Sequence, residues 1–257
     1  MNGIALLFKF MTRLPIGFEP KFESDSLGKS MKFFPVVGMV MGIILFIFFW
    51  LFSHFIYSSM LMAVLLVIIE VVLTGGLHLD GLADTFDGIF SYRSKQKMLE
   101  IMKDSRLGTN GGLVLILYSI LKVALLYDLD VTFGVPSGIV FLLTPAFARL
   151  NSVVNCYAAP YARATGMGKT FVDNTNGISL VIATLLTLIY GFIICKVFFL
   201  PYILLGIIPV LMILGYIFAK LMTRKIGGVT GDTLGAVVEI SEILVIFMIY
   251  LCASLFV

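Results

Sequence analysis

Charge is what this sequence has least of. Of its 257 residues only 13% are Asp, Glu, Lys or Arg, and 60% are hydrophobic; a soluble domain carries about 25% charge. That shortage excludes a disordered chain, a coiled coil and an ordinary soluble enzyme. Cysteine is scarce too. Cys156, Cys195 and Cys252 stand alone in apolar runs, which excludes a disulfide scaffold and Cys/His metal spacing and leaves three small core hydrophobes. The net charge of +3 gives no hint of a clustered basic surface, so no nucleic-acid partner is expected. There is no Walker-type loop and no Ser-His-Asp order. What remains is an all-α polytopic transmembrane helical bundle, a single integral membrane domain over 1–257 embedded in a lipid bilayer.

The runs without charge set the spans. Phe33 to Ile69 contains no Asp, Glu, Lys or Arg. That is too long for one crossing of ~20 residues, so a hairpin near His54–Ser59 divides it. The expected helices are Pro35–Ser53, Met60–Leu79, Gly112–Leu129, Pro136–Tyr157, Ile178–Leu200, Tyr202–Met222 and Gly235–Phe256. This makes about seven spans, with six or eight also compatible, because the Leu200–Pro201 boundary is tight and the N-terminal segment is open to a re-entrant course. Residues 1–32 form a cytoplasmic or interfacial segment. Met1 to Gly17 lacks the order of a cleaved signal and reads as amphipathic, with Leu6, Leu7, Phe10 and Leu14 on one side and Lys9 and Arg13 near the headgroups. With the N-terminus in the cytoplasm, nearly every basic residue falls on that side.

The exceptions to the apolar rule are concentrated. Asp80 to Arg106 holds ten of the 33 charged residues (18 basic plus 15 acidic), within a loop expected at 79–111 on the cytoplasmic side. Asp80, Asp84 and Asp87 are spaced i, i+4, i+7 and share one face if the second helix continues. Three carboxylates on one face repel unless a cation neutralises them. Hard oxygen ligands at that spacing suit Mg²⁺, with Mn²⁺ as the substitute, bound together with waters and substrate phosphates. Lys103, Asp104, Ser105, Arg106, Gly108 and Asn110 follow, a mixture of cations and a glycine turn opening the next helix that suits phosphate oxygens. His78, two residues before Asp80, is a candidate base or ligand that more often packs or orients.

A second glycine–aspartate loop, at 223–239, echoes the first. Gly227-Gly228 precede Asp232 as Gly75-Gly76 precede Asp80, and Asp232 to Glu239 repeats the interval Asp80 to Asp87. Two such copies suit an internal repeat facing one site. Within the spans, Glu70, Lys122, Arg149, Asn151 and Asn155 are the polar exceptions; a Glu70–Lys122 pair inside the bundle is the simplest expectation. The stretch Arg163–Gly177 receives no role. Carboxylates beside Lys, Arg and glycines at a membrane surface fit metal-dependent transfer of a phosphorylated group.

Five blocks carry a resemblance: TRLPIG at Thr12–Gly17, FFPVVGMVMG at Phe33–Gly42, GGLHLDGLADTFDG at Gly75–Gly88, KMLEIMKDSRLGTNGG at Lys97–Gly112 and GGVTGDTLGAVVE at Gly227–Glu239. In this order they resemble the adenosylcobinamide-GDP ribazoletransferases, or cobalamin synthases, over essentially the whole chain. The resemblance implies a multi-pass protein of a bacterial or archaeal cytoplasmic membrane with its site facing the cytoplasm. It implies that adenosylcobinamide-GDP and α-ribazole, or its 5′-phosphate, give adenosylcobalamin, or its 5′-phosphate, and GMP, with Mg²⁺. On that reading Asp80 and Asp84 hold the metal. Asp87, Asp104 and Asp232 complete its shell, or one of them accepts the ribazole hydroxyl proton, so Asp87, Asp104 and Arg106 are the catalytic candidates. Lys103, Ser105, Arg106, Gly108 and Asn110 bind phosphate, with His78 and Glu239 in reserve. A homo-oligomer or association with other corrinoid-pathway enzymes stays open. The alternatives are a CDP-alcohol-type phosphotransferase, whose Ala-Arg signature is missing after Asp80-Gly81, and a cation or corrinoid transporter using Glu70, Lys122 and Glu239 as a relay.

Overall fold

A computed structural model describes residues 2–255. The first helix, α1 (Asn2–Met11), buries Leu6, Leu7 and Met11 and leaves Lys9 exposed, as an amphipathic interfacial helix does. Next come α2 (Ser24–Lys29), a 3₁₀ turn and α3 (Phe34–Phe52), which together run as one long apolar segment. The chain turns at Ser53–Ser58 and returns as α4 (Ser59–Thr74), then α5 (Leu77–Ile89) and α6 (Lys95–Ile101). The remaining helices are α7 (Thr109–Phe133), α8 (Ser137–Ala158), α9 (Met167–Asn174), α10 (Gly177–Val197), α11 (Ile207–Ile226) and α12 (Gly231–Ser254). Among the described residues there is no strand, only one isolated bridge between Tyr161 and Val229.

Six segments are long and apolar enough to cross a membrane, or seven when the bent pair α4–α5 is counted as one. Their lipid-facing surfaces are apolar, as on α7 with Leu113, Ile116, Leu117, Ile120 and Leu121 exposed. The centre is α8, in which every residue from Val140 to Cys156 is buried. Close approach of α3 explains part of this. Gly38 and Gly42 form a G-x-x-x-G stripe lying on the α8 backbone, and a Cβ at Gly42 would stand 2.6 Å from the Phe141 carbonyl oxygen. Pro145 lies four residues on and has no amide to bond that carbonyl. Asn151 and Asn155 then stitch α8 to its neighbours. The Asn151 amide donates to Ser241 Oγ (2.8 Å) and the Asn155 amide to the Gly215 carbonyl (3.0 Å).

One expectation is corrected. The second membrane helix does not continue through Asp80. It ends at Thr74, and α5 leaves its axis at 89°. Gly75 (φ 64°) and Gly76 (φ 72°) are both left-handed, a conformation costly for any other residue, so the glycine pair is a hinge in the chain's path. α5 thus turns off the direction in which α4 crosses. The Asp80–Asp87 face survives because α5 is itself one continuous helix.

Candidate active site

The two glycine–aspartate loops meet. Gly227 (φ 87°) and Gly228 (φ 153°) end α11 as Gly75 ends α4. The close approach of the next helices depends on two glycines. A Cβ at Gly81 would stand 2.6 Å from the Asp232 carbonyl oxygen, and one at Gly235 would stand 3.2 Å from the His78 Cα. α5 thus lies directly on the first turn of α12, and Asp80 and Asp232 line the same cavity.

Asp232 is fixed by a residue to which the sequence assigned nothing. Arg163 Nη2 donates to Asp232 Oδ2 at 2.8 Å, and Thr230 Oγ1 donates to the same oxygen at 3.2 Å. The isolated bridge places Arg163 there. Val229 N–H donates to the Pro160 carbonyl (2.9 Å) and Ala162 N–H to the Val229 carbonyl (2.8 Å), so the segment after α8 runs beside the second glycine loop. The available signal was only an Arg shortly after a long apolar run. Nothing local connects it to Asp232, 69 positions away.

Asp84 lies one turn beyond Asp80 on α5. Burial, reinforced by the charges of Asp80, Asp232 and Asp87, pushes its carboxyl up to about 7. Asp87 has a different setting. Its oxygens accept the backbone N–H of Gly108 (2.7 Å) and of Gly111 (2.8 Å), so it caps α7 from another helix. A Cβ at either glycine would collide with that carboxylate. The helix N-terminus read from the sequence as a phosphate cradle therefore already holds an anion, and these glycines admit Asp87.

The Lys103–Arg106 segment lies at the surface. Asp104 pairs with Arg106 (2.6 Å) on the surface, and that pairing holds the Asp104 carboxyl down at about 2. The Arg106 side chain is 87% exposed, and Lys103 and Ser105 are exposed as well, with Asn110 half-buried. Glu239 is not with the aspartates. It lies two turns deeper in α12, buried, and accepts a hydrogen bond from Tyr118.

There it joins an internal network. Lys122 Nζ donates to Glu70 and Glu242 (2.5 Å each) and to the Tyr118 hydroxyl (2.8 Å), and Arg149 reaches Glu242 at 3.3 Å. The expected Glu70–Lys122 pair is present. The adjoining space is about 20 Å³, room for one water and nothing larger. A relay of charged groups serving a transported solute would need more.

Two spaces flank Asp80. One is a half-enclosed cavity of about 200 Å³ between α1, α5, α8, α9 and α12. Phe10 of α1 and Phe171 of α9, ring centroids 5.8 Å apart, help close it. His78 is also in its wall, 3% exposed, with no partner for Nδ1. The other is an open groove of about 540 Å³ bordered by Arg13, Gly75, Gly76, Asp80 and Leu107.

Among the described residues no three His, Cys, Asp or Glu side chains form a ready-made metal cage. The donor set still fits a hard cation. Mg²⁺ keeps most of its waters and takes one or two carboxylates together with substrate phosphates, and Asp80 and Asp84, one turn apart beside further carboxylates, are carboxylates of that kind.

A helical multi-pass membrane protein with a carboxylate-rich site where two helix starts meet belongs with membrane enzymes acting on phosphorylated substrates. The comparisons specify which. The cobalamin-5-phosphate synthase family matches residues 3–250, and the chain belongs to that family. An adenosylcobinamide-GDP ribazoletransferase of Fusobacterium nucleatum is 46% identical over the full length of both chains, and one of Clostridioides difficile is 39% identical over the full length of both. Another, of Clostridium acetobutylicum, is 39% identical over 96% of this chain and 95% of its own. No solved structure matches.

Proposed function

We propose that this chain joins adenosylcobinamide-GDP to α-ribazole or its 5′-phosphate, releasing GMP, in a Mg²⁺-dependent reaction at the cytoplasmic face of the cell membrane. The observation that carries the reading is the meeting of Asp80 with Asp232, itself paired with Arg163, at a half-enclosed cavity, with Asp80 also bordering an open groove and Asp84 one turn further along α5, in a family whose relatives bear that name. The concentration of basic residues on one side of the spans supports the orientation.

In the reaction the ribazole hydroxyl oxygen bonds to the phosphorus nearer the cobinamide. The bond from that phosphorus to the bridging oxygen breaks, GMP leaves with that oxygen, and the hydroxyl proton passes to a carboxylate. Asp80 and Asp84 would hold the metal, which would supply positive charge to offset the repulsion between the phosphates and the nucleophile. Asp232, oriented by Arg163 and Thr230, is the proton acceptor. Arg163, paired with Asp232, and Arg13, which borders the groove with Asp80, are the cations offered to the developing phosphate charge. Asp87 serves by holding α5 to the start of α7, so that Asp84 is presented at a constant place.

Purified protein in proteoliposomes should release GMP only when adenosylcobinamide-GDP, α-ribazole and Mg²⁺ are all present. Asp80→Ala should abolish release. Turnover retained in Asp80→Ala, or CMP formed from a CDP-alcohol in place of GMP, would overturn the reading.

A further inference from the structure

The two spaces beside Asp80 differ in kind, and a two-substrate reaction at one phosphorus needs two approaches. In-line displacement brings nucleophile and leaving group from opposite sides. A corrinoid carrying a nucleotide is far too large for the enclosed cavity and can reach Asp80 only along the open groove, past Arg13 and the exposed edge of Gly75. The enclosed cavity is then left for the nucleophile.

We propose that this cavity binds the flat heteroaromatic base of the ribazole acceptor, so that its ribosyl hydroxyl lies at Asp80 and Asp232. The inference rests on the function proposed above and assigns a subsite and specificity residues to it. The walls suit a ring system. Phe10, Phe34 and Phe171 present aromatic surface, and Met31 and Met167 are adaptable fillers. The polar complement is sparse: His78, with Nδ1 unpartnered inside the protein, and the two aspartates at one end. A benzimidazole-like base has one free ring nitrogen and so asks for few polar partners. Guanine, the other base in the reaction, carries donors and acceptors along two edges, and most would be stranded against methionine and phenylalanine at a cost in affinity. The cover is made by α1 and α9, tied together through α2 by the Ser24–Thr170 hydroxyl contact at 2.9 Å, so the base is shielded from water on entry.

The test uses the full chain in detergent and two measurements. Binding of α-ribazole alone is followed by calorimetry, and KM values for both substrates are taken from GMP release. Phe171→Ala removes a stacking wall and should weaken α-ribazole binding about tenfold, the scale of a lost base–aromatic contact. Met167→Trp places bulk in the wall at a side chain that is 42% exposed, where folding is little affected. It should weaken α-ribazole to a similar degree and leave the KM for adenosylcobinamide-GDP within about twofold. Unchanged α-ribazole affinity in the well-folded Met167→Trp protein, or a rise confined to the adenosylcobinamide-GDP KM, would overturn the assignment. The second result would put guanine in the cavity. Wild-type protein that binds α-ribazole but releases no GMP would defeat the proposed function and leave the subsite standing.

Discussion

Arg163 holds Asp232 through a 2.8 Å ion pair that joins the segment after α8 to the first turn of α12. Their side chains are 13% and 23% exposed, so the pair is partly desolvated and stronger than a surface contact. Arg163→Ala should lower kcat about 10–100-fold, the usual effect of losing a group that orients a functional carboxylate. Arg163→Lys should recover part of the loss. The detergent-solubilised protein should keep its elution profile in both, and steady-state GMP release is the measurement.

On the proposed assignment of Asp84 as a metal ligand, its carboxyl, raised to about 7 by burial and the neighbouring carboxylates, makes Mg²⁺ binding depend on pH. Below that value a proton occupies the site and Mg²⁺ must displace it, so Mg²⁺ affinity should climb as pH rises to about 7 and level off above it. The metal-free protein should behave oppositely. A carboxyl with a raised folded pKa contributes full stability below its unfolded value and loses it as pH rises through the folded one. Melting in EDTA at pH 5.5 and 8 should therefore show lower stability at pH 8, and added Mg²⁺ should erase most of the difference. Asp84→Asn should remove the dependence; a dependence unchanged in that variant would contradict this account.

Asp87 makes its bonds to the backbone of another helix. Asp87→Ala should cost about 0.5–2 kcal/mol, the range for a lost helix cap. It should also weaken Mg²⁺ binding only indirectly, through the placement of α5. Gly111→Ala should mimic the variant, because its methyl group would displace the carboxylate. Thermal melting and Mg²⁺ titration separate the two effects.

The Lys122 network is a structural element of the bundle interior. Lys122→Met leaves Glu70 buried without its cation and Glu242 with Arg149 alone, and such uncompensated charge costs about 3–5 kcal/mol. Folded protein recovered from the membrane should fall sharply. Replacing Glu70 by Gln at the same time should restore part of it. If Lys122→Met left thermal stability unchanged, the network would have another purpose.

Asp104 and Arg106 are exposed and bonded to each other. Asp104→Asn should leave melting unchanged. Any loss of GMP release in that variant is then a substrate effect, which makes it the direct test of the role the sequence suggested for this pair.

Much of this was legible in the chain. Long uncharged runs gave the spans because bilayer thickness demands ~20 apolar residues and nothing else does. The repeated glycine–aspartate spacing marked two loops that do meet. What misled was continuity. An apolar run flows from α4 into α5, and hydropathy has no term for the 89° break that two left-handed glycines introduce. At Lys103–Arg106 the structure adds what a mixture of charges does not contain, the exposure of the segment and the pairing of Asp104 with Arg106.

The amino-acid sequence alone determined that this is a helical membrane protein, since only helices or closed barrels satisfy the backbone in lipid, and it determined which carboxylates collect in its glycine loops. Tertiary structure decided which of them share a site. Asp232 joined Asp80 because Gly81 and Gly235 let two helices touch, Arg163 joined because one bridge carried it there, and Glu239 was carried inward to Tyr118. Those outcomes depend on distances between residues far apart in the chain, which spacing along a single helix does not contain.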